Sequence, residues 1–536
     1  MKINRGTVWH TYTTQSPEFQ NANKLASDLI DTGLFLAILT PNNTFKCLTN
    51  NGVTSIKLDM RYENNDNAVT VEGGNKVHEA GVCALTANAF FNCINIRLSE
   101  RKLFHTTFNK HSENIICCQK PIIIKNENED FFIHPIIRLY SNGIAHVTFV
   151  DTEHKNRELT DFINNVLGLP FILNESITTS IEFANLSLLL DYSGIPLLKK
   201  KNTIRNITHS LKKLTEDADD LTLGEHTATG KYVEYTKTLQ IHHNLSDIAR
   251  YLIAITFSVS KKRSITDLVF GNDLTKFYSS WNGKPSIYIF EHEDQEESSV
   301  KNYHNNLKAV HALLGKSNII PKEKYKKNYR DHRIFDDFNF FSEQAAALTL
   351  LSSGVKKEIF AGTFTEENLM WDNQIKSELR EFISFFYESR INKIENEKTH
   401  LGLAKIQEDV IAFEEWLRIF SKKYGEIQDF ACNTKNSSDI KEARHNIIES
   451  LKAKMLVIKL IDSDTSEKRS KKITIAFGLI ASTSLSPVII KPLFKTLGIT
   501  TLINKNNLSN YEDAFYFITA LILVWLVIIA MNIKIK

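Results

Sequence analysis

Two stretches near the C-terminal end carry no charge over almost the length of a membrane span. Ile473 to Ile490 reads ITIAFGLIASTSLSPVII, and Ala514 to Ile533 reads AFYFITALILVWLVIIAMNI. Each is close to the roughly 20 residues that cross a hydrocarbon core of about 30 Å. No other part of the chain approaches this pattern, which predicts two C-terminal transmembrane helices. Lys468, Arg469, Lys471 and Lys472 precede the first stretch, and Lys534 and Lys536 follow the second. Basic flanks stay inside. The expectation is a multi-pass protein of the cell inner membrane with both termini cytoplasmic and the lipid bilayer as a partner.

The two stretches differ in kind. The second is bulky and aliphatic, with Leu521 to Ile529 unbroken by a small or polar residue. The first places Thr474, Gly478, Ser482 and Ser486 four residues apart, hence on one helix face. Such a stripe suits either close helix packing or the wall of a water-filled pore. Lys491 then stands at the pore mouth.

Upstream, Phe413, Leu417, Phe420, Tyr424 and Ile427 recur at helical spacing within a long region from Asp372 to Phe430. Asn433 to Ser438 is a polar break, and Asp439 with Glu442 forms a capping-box pattern for a further helix. That helix carries Ile447, Leu451, Met455 and Ile458 on one side. With no proline or glycine before Ile473, it reads as one rod. Residues 1–370 instead alternate strand-like and helix-like segments. The expected order is an α/β cytosolic domain (1–370), a helical hairpin and stalk (371–472), and two C-terminal transmembrane helices with a short outer loop (473–536). Strands are expected at Leu34–Leu39, Val82–Ile96, Ile115–Ile124, Ile136–Tyr140, Ile144–Val150, Tyr232–Ile241 and Ser286–Phe290. Helices are expected at Arg157–Leu167, Leu245–Ser258, Val300–Leu314 and Phe338–Leu351.

The sharpest local signal is Asn142-Gly143 between two apolar runs, a two-residue hairpin turn. That register puts Ile136, Arg138 and Tyr140 on one face with Ala145, Val147 and Phe149. An arginine in such company is either an anion or nucleotide-phosphate ligand or a stem that snorkels at a sheet edge. Arg330, His332 and Arg333, close to Asp331, Asp336 and Asp337, form a second polar cluster, to be weighed against a solvated loop. His242-His243 lacks a partner at metal-ligand spacing. Gly224 to Lys231 imitates a phosphate loop, but it is one residue too long and Tyr232 replaces the hydroxyl residue. No catalytic, metal or cofactor motif emerges, so the chain is expected not to be an enzyme.

Composition changes little. With 42% hydrophobic and 24% charged residues and a net charge of +3, the 536-residue chain shows no electrostatic bias toward nucleic acid. Six cysteines without a paired framework fit a reducing compartment.

The order of α/β domain, helical hairpin, stalk, first span, outer loop and second span resembles the CorA-type channel family over roughly Asp372 to Lys536. The family's Gly-Met-Asn signature is replaced here by Lys491-Pro492-Leu493-Phe494 and onward, so magnesium selectivity does not carry over. The enlarged N-terminal part is similar to CorA-like membrane effectors of bacterial antiviral defence, including those associated with type III CRISPR loci. The resemblance implies a homo-oligomer, pentameric in the family, whose first span lines a pore gated by a nucleotide-type second messenger. The alternative is a membrane-anchored binding or scaffold protein without a pore.

Overall fold

In the computed structural model the N-terminal strand, β1 (Lys2–Gln15), is the hub of a 15-stranded mixed sheet. The structure describes residues 1–16, 18–49, 52–63, 68–79, 82–104, 113–126, 129–171, 176–193, 209, 212–213, 215–223, 226–236, 244–260, 282–318, 329–355, 365–420, 425–501 and 511–533. His242-His243, Gly224 and the flanking Lys534 and Lys536 lie outside them. Two compact units emerge: residues 1–393 with 406–448, and residues 394–405 with 449–536.

The first unit holds the sheet. After β2 (Phe35–Leu39), β3 (Thr44–Thr49) and β4 (Gly52–Lys57), a separate ribbon is formed by β5 (Asp59–Glu63) and β6 (Ala68–Glu72). The chain then supplies β7 (Asn114–Gln119), β8 (Ile122–Asn126), β9 (Glu129–Tyr140), β10 (Ile144–Asp151) and β11 (Lys155–Glu158). β12 (Ser176–Ser180), β13 (Asp219–Leu223), β14 (His226–Thr236), β15 (Asn282–His292), β16 (Phe338–Ser342) and β17 (Ala347–Leu351) complete it. The main path runs β13-β14-β12-β8-β9-β10-β1-β15-β17-β16. β1 lies antiparallel between β10 and β15, and β15 pairs parallel with β17.

One face of this sheet carries the apolar core, including Val8, Tyr12, Val147, Phe149, Ile287 and Ile289, closed by helix Leu245–Ser260. The other face is polar where it meets the long helix Glu366–Asn396. Trp9 packs on Trp371 with ring centroids 4.7 Å apart. Thr11 Oγ1 accepts from Gln374 Nε2 at 2.8 Å, and the Tyr288 hydroxyl reaches Gln374 Oε1 at 3.1 Å. Helices His400–Phe420 and Gly425–Asn436 extend this layer, with Phe386 stacked on Phe413 and Arg390 donating to Asp409 at 2.6 Å.

The hairpin at Asn142-Gly143 exists, but its loop is one residue longer than expected. Leu139 faces Ala145, and Gly143 N donates to Tyr140 O across Ser141-Asn142. Gly143 has φ +85°, a conformation that favours glycine. One residue of slip turns every side chain over. Arg138 therefore faces His146 rather than an apolar neighbour, in the polar layer. Two further expectations fail. Val82–Ile96 is not a strand; helix Ala84–Phe104 occupies it. Its buried positions Leu85, Ala89, Cys93, Ile96 and Glu100 recur at helical spacing. Phe338–Leu351 is not a helix but the antiparallel pair β16 and β17.

The second unit contains the end of helix Ser438–Leu485, a π-turn at Ser486–Ile490, a short helix Lys491–Thr496 and helix Glu512–Ile533. Ile490, Tyr516 and Ala520 form its small core with Phe494. Among the described residues no helix is long and apolar enough to cross a membrane. This overturns the two expected transmembrane helices, and with them the multi-pass inner-membrane location. The first uncharged stretch is the tail of a helix whose preceding turns are charged, and the π-turn at Pro487 interrupts it before Lys491. The second stretch lies within helix Glu512–Ile533, whose first turn carries Glu512 and Asp513.

Arg138 is fully buried, donates to Glu378 and lies 3.8 Å from Glu100. Removing one member of a buried ion pair leaves an uncompensated charge at a cost of about 3–5 kcal/mol. Arg138→Met should lower unfolding stability by that order in urea titrations of the full chain. Arg138→Met combined with Glu378→Met should recover much of the loss. A double variant no better than the single one would place the stability elsewhere.

Candidate ligand-binding site

The polar layer is a continuous hydrogen-bonded network of buried charges. Burial disfavours charge on Arg138, but Glu378, Tyr140 and Glu100 more than offset this and raise its pKa. Glu378 is held below the usual carboxylate range; burial opposes this and the Arg138 guanidinium outweighs it. Glu100 moves the other way, pushed up by burial that Arg97 and Arg138 only partly relieve. Tyr140 donates to it at 3.1 Å, and Arg97 Nη1 at 3.3 Å. Further along, Lys284 donates to Ser377 O at 2.9 Å and to Ser342 Oγ at 3.1 Å, and lies 3.5 Å from Glu381. Burial pushes Lys284 down and Glu381 up, each toward its neutral form.

On the opposite face of β1 and β15 lies a cavity of about 270 Å³, lined by His10, Tyr12, Leu167, Pro170, Ser246, Gly283, Pro285 and Lys316, with Thr11 and Lys284. Strand alternation explains the set. His10 and Tyr12 point to the core side, whereas the Thr11 hydroxyl and Lys284 ammonium are engaged on the helix side, leaving main chain to the cavity wall. The Tyr12 ring lies across β15 because residue 283 is glycine. A Cβ there would stand 2.9 Å from the ring.

His10 Nε2 is 3.2 Å from Val166 O, at the end of the π-helix Phe162–Leu167. A carbonyl can only accept, so Nε2 carries the proton. Burial, with the nearby Lys316 charge, pushes His10 down to about 3, so its ring is neutral. Ser246 lies in the first turn of helix Leu245–Ser260, where Asn244 Oδ1 accepts from Asp247 N at 3.0 Å. Lys316 caps helix Leu307–Gly315 in the left-handed region, φ +53°. Its pKa is lowered by burial and then by Lys284. Among the described residues no carboxylate forms an ion pair with it. The cavity thus offers one ammonium, a neutral imidazole, a phenol, a hydroxyl at a helix N-terminus and proline walls.

The residues singled out from sequence are distributed differently. Arg138 is consumed by Glu378 and Glu100 and has no exposed surface. Arg330 pairs with Asp429 at 2.6 Å. Arg333 is held between Asp337 and Glu426. His332 packs edge-on against Phe430, and burial pushes it down to about 4. His332 and Arg333 line a gap of only about 10 Å³, roughly one water.

Thr474 is exposed, Gly478 is half-buried, and Ser486 is buried in the π-turn. The Ser482 side chain lies outside the described set. Lys491 is exposed and 3.7 Å from Asp513. Among the described residues no group of histidine, cysteine or acidic side chains could hold a metal. The cavity residues were missed because Asn282-Gly283-Lys284-Pro285 reads as a turn and Lys316 belongs to no motif.

His10 and His146 are both buried, and each is pushed down to about 3 by burial. A histidine depressed in the folded state contributes stability that is fully present above its unfolded value near 6.5. That stability is lost as pH falls toward 3. Urea unfolding between pH 6.5 and 4.5 should therefore show stability falling by about 1.4 kcal/mol per pH unit for each histidine. His10→Gln should remove one such share from the slope; an unchanged slope would show that His10 is charged in the folded protein.

No family model, curated protein or solved structure matches the chain.

Proposed function

We propose that the first unit is a receptor for a small anionic molecule of nucleotide type, bound in the cavity between β1, β15 and the helix beginning at Leu245. The activity is binding rather than turnover. The observation that carries this reading is Lys316, a half-buried ammonium on the cavity wall that forms no ion pair with a carboxylate among the described residues. Desolvating a cation without a counter-ion is costly, and an anionic ligand relieves that cost. The Ser246 hydroxyl and the N-terminal N–H groups of its helix favour the same charge. Tyr12, Pro170 and Pro285 supply flat apolar surface for a ring. The volume lies near the small end of ligand pockets, which suits a single nucleotide better than a larger molecule.

Calorimetric titration of the full chain with adenosine and guanosine monophosphates and triphosphates, and with inorganic pyrophosphate, tests this. At least one nucleotide should bind, and pyrophosphate more weakly because it lacks a ring. A hydrogen bond to a charged group contributes about 1.5–3 kcal/mol, so Lys316→Met should weaken binding by roughly 10- to 100-fold. Absence of binding by every probe would overturn the reading. Binding that Lys316→Met leaves unchanged would move the site elsewhere.

A further inference from the structure

The two strands that wall the cavity also carry the buried charge layer, one residue out of step. On β1, His10 and Tyr12 face the cavity while Thr11 between them binds Gln374. On β15, Gly283 and Pro285 line the cavity, while Lys284 between them reaches Ser377 and Glu381 on helix Glu366–Asn396. The register places Thr11 directly opposite Lys284. Cavity and helix are therefore separated by a wall one sheet thick.

We propose that an anion in the cavity is felt on the far side of the sheet by the Lys284–Glu381 pair and tightens helix Glu366–Asn396 on the strands. This rests on the anion-binding reading of the cavity. Lys284 and Glu381 are each 4% exposed, so solvent screens little of a charge placed across the sheet. Lys284 already repels Lys316 strongly enough to lower its pKa, and a Coulomb repulsion acts equally in return. The other charges that act on Lys284 are Glu381, Glu378 and Arg380, all on the same helix. An anion beside Lys316 cancels the repulsion and favours the charged form of Lys284, the form that binds Glu381. Glu381 Oε2 has no hydrogen-bond partner, which leaves the carboxylate dependent on Lys284. Linkage makes the effect reciprocal: whatever loosens the pair weakens the anion by the same factor.

Amide hydrogen exchange of residues 366–396 in the full chain reads the coupling directly. Lys316→Glu fixes a carboxylate at the cavity without any ligand and should slow exchange on the order of 5-fold. Lys316→Gln should act in the same direction more weakly. In a Lys284→Met background neither change should have an effect. In parallel, Glu381→Gln should weaken ATP or pyrophosphate binding by a similar factor. If the wild-type chain binds neither ATP nor pyrophosphate, the Lys316 variants decide the coupling alone. If wild type binds but Glu381→Gln binds equally well, or the Lys316 variants leave exchange unchanged, the coupling is overturned and the cavity reading stands.

Discussion

A guanidinium without any exposed surface, held between two carboxylates, sets the terms for the first unit. The Arg138 charge is fully matched only while Glu378 from helix Glu366–Asn396 stands beside it. A buried ion without its partner costs several kcal/mol, so registers of that helix that separate the two are penalised. Gln374, Ser377 and Glu381 repeat the constraint along the same helix face. Replacing such a layer with apolar side chains is often neutral or stabilising in proteins. Its contribution here is therefore one of register, while net stability comes from the apolar core on the other side of the sheet. The same sheet thus separates two environments, one satisfied by area and the other only by matched partners.

Much of the secondary structure was legible because its periodicities are clean. The strands flanking Asn142-Gly143, the helix beginning at Leu245 and the unbroken helix from Ser438 follow directly from residue spacing. The failures share a cause, which is that apolar residues do not mark every buried position. Helix Ala84–Phe104 buries Arg97 and Glu100 along with its aliphatic residues, so its stripe is invisible to a hydrophobic count. β16 and β17 are joined through Glu343-Gln344-Ala345-Ala346, a connection without glycine, proline or asparagine, and so looked continuous. Arg138 was recognised as unusual but assigned to the wrong face, because a three-residue loop and a two-residue loop share the same Asn-Gly signal. The uncharged C-terminal stretches were read by length, whereas the π-turn at Ser486–Ile490 depends on local backbone geometry that length does not encode.

The cavity was not legible at all, for a related reason. Its members come from β1, the π-helix at 162–167, the helix beginning at Leu245, β15 and a helix C-cap, with no two forming a motif. What brings them together is the pairing of β1 with β15, a contact between residues far apart in sequence. A lone lysine one residue past a helix resembles ordinary surface charge until the fold half-buries it against a cavity, with no ion-paired carboxylate among the described residues. The site is thus a property of topology more than of composition.

The two units are interleaved along the chain, since residues 394–405 belong to the second and 406–448 return to the first. This has a consequence for how the protein is made. The strands and the helix starting at Glu366 leave the ribosome with Phe386 and Arg390 still lacking Phe413 and Asp409. Arg333 likewise waits for Glu426, and Arg380 for Asp439. At roughly 5–20 residues per second, the sheet must persist incomplete for several seconds, with its buried charges only partly matched. Synthesis must reach residue 448 before the first unit can close, so during that interval the nascent chain is a client for whatever shields unpaired charge and aromatic surface in the cell.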